Sequence, residues 1–243
     1  FNEPYPMAAC TSAVDYYARP KPSYYTVSRA YSPLLISARF DTSAWGDWDQ
    51  FEAEAWASNS HEQSYSDVTL LMRLIGTGGD LYAEQAEVVS FGANCSAKLI
   101  SFWASLSVIP GEVFFLDMQL FHPDGTLLCH NRYAFSRTTT LTPLLDCPPA
   151  TLQVSSSSDE NEQMLTLTNN GEAAVMFLWL EDAREVNASG YAYFDDNYFC
   201  LLPKESRTVR VLWKDVPADE RLLEISGWNT EHLFIGRSRN GGA

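Results

Sequence analysis

Trp45 and Trp48, beside a predicted turn, and Tyr191 and Tyr193, at alternate positions of a predicted strand, are the side chains best suited to hold a ligand. Aromatic rings stack on the apolar faces of pyranose sugars, and these four lie where rings can reach a surface. The competing expectation is that they fill sandwich cores or seams, which is where such rings are commonest. Two acidic pairs, Asp47/Asp49 and Asp195/Asp196, offer oxygen ligands. Calcium takes about 6–8 oxygens, and neither pair sits in the spaced loop such a site needs. The histidines at 61, 122, 130 and 232 are scattered, and only His122 and His130, flanking a hairpin signal, are expected to face each other. No metal site and no cofactor are expected. Nucleophile-elbow, phosphate-loop and dinucleotide-glycine patterns are all missing, and Gly76-Thr-Gly-Gly reads as a turn.

Charge narrows the partners. Thirty-one acids against 16 bases give a formal net charge of −15, a surface that repels nucleic-acid backbones and anionic membranes. Neither is expected as a partner, and no apolar run approaches the roughly 20 residues of a membrane-spanning helix. The five cysteines (10, 95, 129, 147, 200) are odd in number and widely spaced, which excludes a zinc ribbon and a redox pair. Beginning at Phe1 without a leader, the chain reads as part of a longer protein.

The elements that must position these residues follow from periodicity. Residues 1–33 mix Pro and Tyr with a short helix signal opened by Pro22 and stopped by Pro33, and they have no core of their own. From Leu34 the period is two: Leu34, Ile36, Ala38 and Phe40 share a face, as do Phe51, Ala53, Ala55 and Ala57, and Val68, Leu70, Met72 and Leu74. His122-Pro-Asp-Gly125 signals a hairpin between the strands at 113–121 and 126–135. A Thr- and Pro-containing stretch over 137–147 reads as a linker. A second strand series then runs from Thr151, with Asn169-Asn-Gly171 as a turn. The run 191–202, the turn Pro203–Ser206 and the strand 207–213 read as a hairpin, Leu222–Ser226 as the last packed strand, and Arg237–Ala243 as a frayed tail. Short strands at this spacing predict all-β sandwiches.

Three stretches resemble one family. Val14-Asp-Tyr-Tyr-Ala-Arg-Pro-Lys-Pro-Ser-Tyr-Tyr25 is similar to the barrel terminus of β-mannosidases and their relatives in glycoside hydrolase family 2. Asp117–Phe135 resembles the end of the sandwich that follows that barrel. Phe194-Asp-Asp-Asn-Tyr-Phe-Cys-Leu-Leu-Pro-Lys-Glu-Ser-Arg-Thr-Val209 resembles the terminal domain, with Lys204 where glycine is usual. The resemblance implies an all-β chain of two immunoglobulin-like β-sandwiches behind a remnant of a (β/α)8 barrel: residues 1–33 the remnant, 34–136 the first sandwich, 137–147 a linker and 148–243 the second sandwich.

It also implies a function. The chain would be the non-catalytic C-terminal region of a retaining β-mannosidase-like exo-glycosidase, packed on its own catalytic barrel and meeting carbohydrate through the parent enzyme. A carbohydrate-binding module is the alternative, and an exo-glucosaminidase the rival parent. A secreted, periplasmic or lysosomal setting is favoured over the cytoplasm. Retaining hydrolysis needs two carboxylates about 5–5.5 Å apart. Glu3, in Asn2-Glu3-Pro4, is a weak candidate for one of them, because about 30 residues leave no room for another barrel strand before the sandwich. Asn2, Glu3 and Tyr5 are instead expected to line the parent's sugar pocket, leaving the fragment inactive alone.

Overall fold

The computed structural model describes residues 12–159 and 161–236. Asn2, Glu3, Tyr5 and the expected tail at 237–243 lie outside the described residues. The chain divides into two compact units: Arg29–Cys147, and a second that joins the residues before Arg29 to those from Pro148 onward.

The first unit is a sandwich of seven antiparallel strands. Strands β1 (Leu34–Arg39), β2 (Gln50–Asn59) and β5 (Cys95–Ser105) form one sheet, ordered β1-β2-β5. Strands β3 (Tyr65–Gly76), β4 (Leu81–Phe91), β6 (Val113–Phe121) and β7 (Leu127–Ser136) form the other, ordered β4-β3-β6-β7. The alternation read from sequence is the core: Ile36, Phe51, Ala53, Ala55 and Ala57 meet Val68, Leu70, Met72, Leu74, Leu116 and Phe135. Alanines along β2 leave room for the rings of Phe51, Phe102, Phe114 and Phe135, which pack edge-on around it. The 122–125 hairpin forms, with Gly125 supplying the left-handed residue its turn requires (φ 87°).

The second sandwich comprises β8 (Leu152–Asp159), β9 (Glu162–Asn169), β10 (Val175–Asp182), β11 (Tyr191–Phe194), β12 (Phe199–Leu201), β13 (Ser206–Lys214), β14 (Leu222–Ser226) and β15 (Leu233–Gly236). One sheet runs β11-β13-β9-β8 and the other β12-β10-β14-β15. Strand β15 lies beyond the expected last strand and pairs with β14.

The expected hairpin over 191–213 is not one. The run 191–202 breaks into β11 and β12, which belong to opposite sheets, and β12 is likewise across the sandwich from β13. Asn197 makes the break possible. Its buried carboxamide accepts from Leu180 N and donates to Leu180 O, both at 2.8 Å, standing in for a strand partner of β10 while the chain changes sheet. The Pro203–Glu205 turn is anchored by Asn169, whose backbone pairs with Lys204 N and Glu205 O at 2.9 Å and whose Nδ2 reaches Leu201 O at 3.0 Å. Alternation along β13 was right, but β13 pairs with β9 and β11 instead.

Helix α1 (Pro22–Ala30) begins at its proline, as read, and ends before Pro33. The segment in front of it has cover within its own unit. Val14 bridges Pro20, Arg19 bonds Glu181 at 2.5 Å, and Tyr25 sits in the core of the second sandwich against Tyr198.

One charge is wholly enclosed. Asp117 of β6 is flanked in register by Arg73 of β3 and Arg132 of β7. Its carboxylate accepts from Arg73 Nη2 (2.7 Å), Arg132 Nε (2.8 Å) and Nη2 (2.7 Å), and lies 2.6 Å from His130 Nε2. His130 therefore does not face His122, which contacts Asp124 instead.

Burial pushes the Asp117 carboxyl upward, but the His130 hydrogen bond, the charge of Arg132 and the Arg73 hydrogen bond outweigh it and hold it well below the usual carboxylate range. Its folded value being depressed, the stabilisation is present above the unfolded value of about 3.9 and is lost as pH falls toward the folded one. Asp117→Asn is expected to cost the first sandwich about 3 kcal/mol at pH 7 in urea denaturation. The same variant should show a shallower loss of stability below about pH 4 than the parent chain.

Lys204 occupies left-handed backbone (φ 67°), and its ammonium meets Glu172 in an exposed pair at 3.1 Å. Lys204→Gly is expected to be more stable than Lys204→Ala by about 1 kcal/mol, because both lose the pair and only alanine keeps the Cβ clash. Paired chemical-denaturation curves check this.

Candidate functional site

The four sequence-predicted aromatics have different surroundings. Trp45 is 2% exposed and packs on Phe51, so its faces belong to the core and are closed to a sugar. Its backbone bonds to Ser136 O, and its core position follows from the turn that brings residues 42–46 across β7. Trp48 lies edge-on to it and is 47% exposed.

Tyr191 and Tyr193 project from one side of β11. Tyr191 is 59% exposed, whereas Tyr193 is engaged by the hydroxyl of Tyr24 from α1. Burial, then Tyr24, raises the Tyr193 phenol, so it stays protonated across the physiological range. Tyr193 thus serves to seat the helix. The two tryptophans belong to the first unit and the two tyrosines to the second.

The remaining ionisable candidates resolve locally. Asp195 caps Arg210 N at 2.9 Å and Asp196 pairs with Arg207, which lies over the Phe199 ring. Asp47 and Asp49 are exposed loop acids. His61 meets the Tyr65 hydroxyl at 2.8 Å and His232 meets Glu224. Among the described residues no group of three or more His, Cys, Asp or Glu could hold a metal ion. Cys95 and Cys129 are free thiols, and burial pushes Cys129 up to about 11. Asp117 is fully buried with its carboxylate met by Arg73, Arg132 and His130, so it presents no oxygen to solvent for acid–base work.

A different surface carries open rings. On the outward side of the β1-β2-β5 sheet stand Gln50, Glu52, Glu54, Trp56 and Ser58 of β2, with Ser101, Trp103 and Ser105 of β5. Trp103 is 68% exposed near the end of β5 and within its pairing, directly opposite Glu52 in register. Its neighbours along β5, Ser101 and Ser105, are too short to shade it. Trp56 is half-buried, and its indole N–H donates to Glu54 Oε2 at 3.2 Å. Glu54 is drawn in further by Lys98 Nζ at 2.6 Å, a bond that with the Trp56 contact lowers its carboxyl. Among the described residues no cation lies within ion-pairing distance of Glu52.

The sequence held the signal for this face. Trp56 shares parity with Glu52 and Glu54, and Trp103 shares parity with two serines, so both had to point away from Phe51 and Phe102.

Comparison with known proteins places this architecture. Residues 132–230, which begin inside β7 and run through most of the second sandwich, match the exo-β-D-glucosaminidase Ig-fold domain. No curated protein sequence matches the chain. Among solved structures, the exo-chitosanase CsxA of Amycolatopsis orientalis is 18% identical with a TM-score of 0.74. That match covers 93% of this chain and 29% of that one. The same enzyme in complex with PNP-β-D-glucosamine gives 18% identity and a TM-score of 0.73, again over 93% of this chain and 29% of that one. The β-D-mannosidase of Dictyoglomus thermophilum is 19% identical with a TM-score of 0.65, over 90% of this chain and 24% of that one. The chain therefore spans less than a third of these enzymes, and at such identities the likeness establishes fold. Residues 132–230 are thus similar to the Ig-fold domain of exo-β-D-glucosaminidases, and the chain shares the fold of a region within these larger enzymes.

Proposed function

We propose that the chain is the accessory sandwich region of an exo-acting, retaining β-glycosidase of glycoside hydrolase family 2, whose catalytic carboxylates stand on a barrel outside these sandwiches. The match of residues 132–230 to the glucosaminidase Ig-fold domain carries this reading. The fold likeness over 93% of the chain supports it, because that likeness includes the first sandwich, which the family match barely enters. The segment Val14–Tyr25 would then be the end of the barrel. Its fixed seat on the second sandwich through Arg19–Glu181 and Tyr25 gives that sandwich a mechanical role, holding the terminus of the catalytic domain in place.

For substrate class, a terminal β-D-glucosaminide is the better fit. The matching domain family and the enzyme with TM-score 0.74 both act on amino sugars by name, and a net charge of −15 suits a cationic substrate. A β-mannoside is the second reading, favoured by the Arg19-Pro-Lys-Pro22 turn and by the fold likeness to the Dictyoglomus enzyme.

Purified as residues 1–243, the chain is expected to leave p-nitrophenyl β-D-glucosaminide and β-D-mannoside intact, while the protein as its organism makes it cleaves the glucosaminide faster. Turnover by the 243-residue chain that Glu3→Gln abolishes would overturn the accessory reading. Faster cleavage of the mannoside would transfer the substrate class to the second reading.

A further inference from the structure

We propose that the outward face of the β1-β2-β5 sheet binds a chain of β-linked amino sugars, with Trp103 as the stacking ring and Glu52 as the partner of the sugar ammonium. The inference rests on the amino-sugar reading above and deepens it.

An indole at 68% exposure on a paired strand leaves a large apolar surface in water with nothing in the fold to gain from it. The ring stands directly across from Glu52, so a ring and a carboxylate with no cation near it among the described residues are cross-strand neighbours, about 5 Å apart at Cβ. An ammonium group is attracted by both at once, by the carboxylate's charge and by the negative face of the indole. The adjoining C–H face of a pyranose stacks on the same ring. A neutral hexose would satisfy the ring alone and leave Glu52 to compete with water.

The rest of the face suits a chain. Trp56 lies four residues along β2 from Glu52, which at about 3.3 Å per residue is roughly 13 Å, the reach of a short oligosaccharide. Its indole is already fixed by Glu54, which Lys98 and Arg39 hold in turn, so little side-chain freedom is lost when a second ring stacks there. Ser101 keeps the surface between the two rings low, and Ser105, Ser58 and Ser96 supply hydroxyls beyond them on either side. Lys98 and Arg39 are both engaged with Glu54, which leaves Glu52 as the uncompensated charge of the platform.

Isothermal titration of the 243-residue chain with chitosan oligomers, cello-oligosaccharides and manno-oligosaccharides tests this. Saturable binding of the chitosan oligomer is expected, weakened about tenfold by Trp103→Ala and several-fold by Glu52→Gln. Binding should fall with added salt in the parent chain and less so in Glu52→Gln. Binding of chitosan oligomer that neither substitution changes would overturn the site, as would no binding at all. Equal binding of the neutral oligomers, indifferent to Glu52→Gln, would overturn the amino-sugar assignment.

A fall in melting temperature of the organism's own protein on Trp103→Ala, with sugar binding unchanged, would make the face an internal seam and overturn the proposal. The two readings fail separately. A glucosaminidase whose Trp103→Ala form binds normally loses only this platform, whereas preferred cleavage and binding of mannosides removes the substrate class beneath it.

Discussion

Wherever a chain leaves one sheet of a sandwich for the other, its N–H and C=O groups lose their ladder partners while bulk water is still out of reach. Both sandwiches meet this constraint with a buried asparagine at the same place. Asn59 ends β2 before the chain crosses to β3, and Asn169 ends β9 before it crosses to β10. Each accepts from the N–H two residues on, at 2.9 Å for Asn59 and 3.0 Å for Asn169. Each donates to the carbonyl four residues on, and each reaches a further carbonyl on a distant loop or strand, Gly92 O or Leu201 O. A carboxamide can do this because it carries two donors and an acceptor on one short arm, whereas a carboxylate would leave the carbonyls unmet. Asn197 and Asn229 extend the device in the second sandwich, Asn229 bonding Pro148 O, Ala174 O and Met176 N. The fold's outline rests on these crossings as much as on its core.

Much of that outline was legible because a buried face forces period two. The inward row Phe51-Ala53-Ala55-Ala57, the run Val68–Leu74 and the His122–Gly125 hairpin all declare themselves in one dimension. The misreadings fell where the chain changes sheet or turns inward. Residues 191–202 look like one strand because aromatic residues flank Asp195-Asp-Asn197 on both sides, and a side chain bonding Leu180 from seventeen residues away shows that the strand has ended. Such a contact leaves no trace in periodicity. Trp45 misled for the same reason: a turn in sequence became an interior position once its backbone was tied to β7.

The functional surfaces followed a similar rule. Asp117 has the composition of a reactive centre, a buried carboxylate with a histidine and two arginines, yet its geometry makes it a clamp joining β3, β6 and β7. Trp103 and Trp56 were overlooked beside more conspicuous pairs, although parity alone set them outward. In a sandwich the core consumes most large rings, so an aromatic sharing its face with serines and glutamates says more than one near a turn.

The seat of Tyr25 reaches further than packing. The second sandwich is discontinuous in sequence, since a side chain at position 25 completes a core whose other members run from Leu165 to Ile225. During synthesis that tyrosine leaves the ribosome roughly 9 to 40 seconds before Tyr198 and Ile225, at about 5–20 residues per second. The first sandwich, uninterrupted in the chain, can fold in that interval, while the segment around Tyr25 waits with its apolar face uncovered. The translation schedule thus sets an order of assembly and a window of exposure, and a ribosomal pause after residue 147 would lengthen the wait without altering any contact of the finished protein.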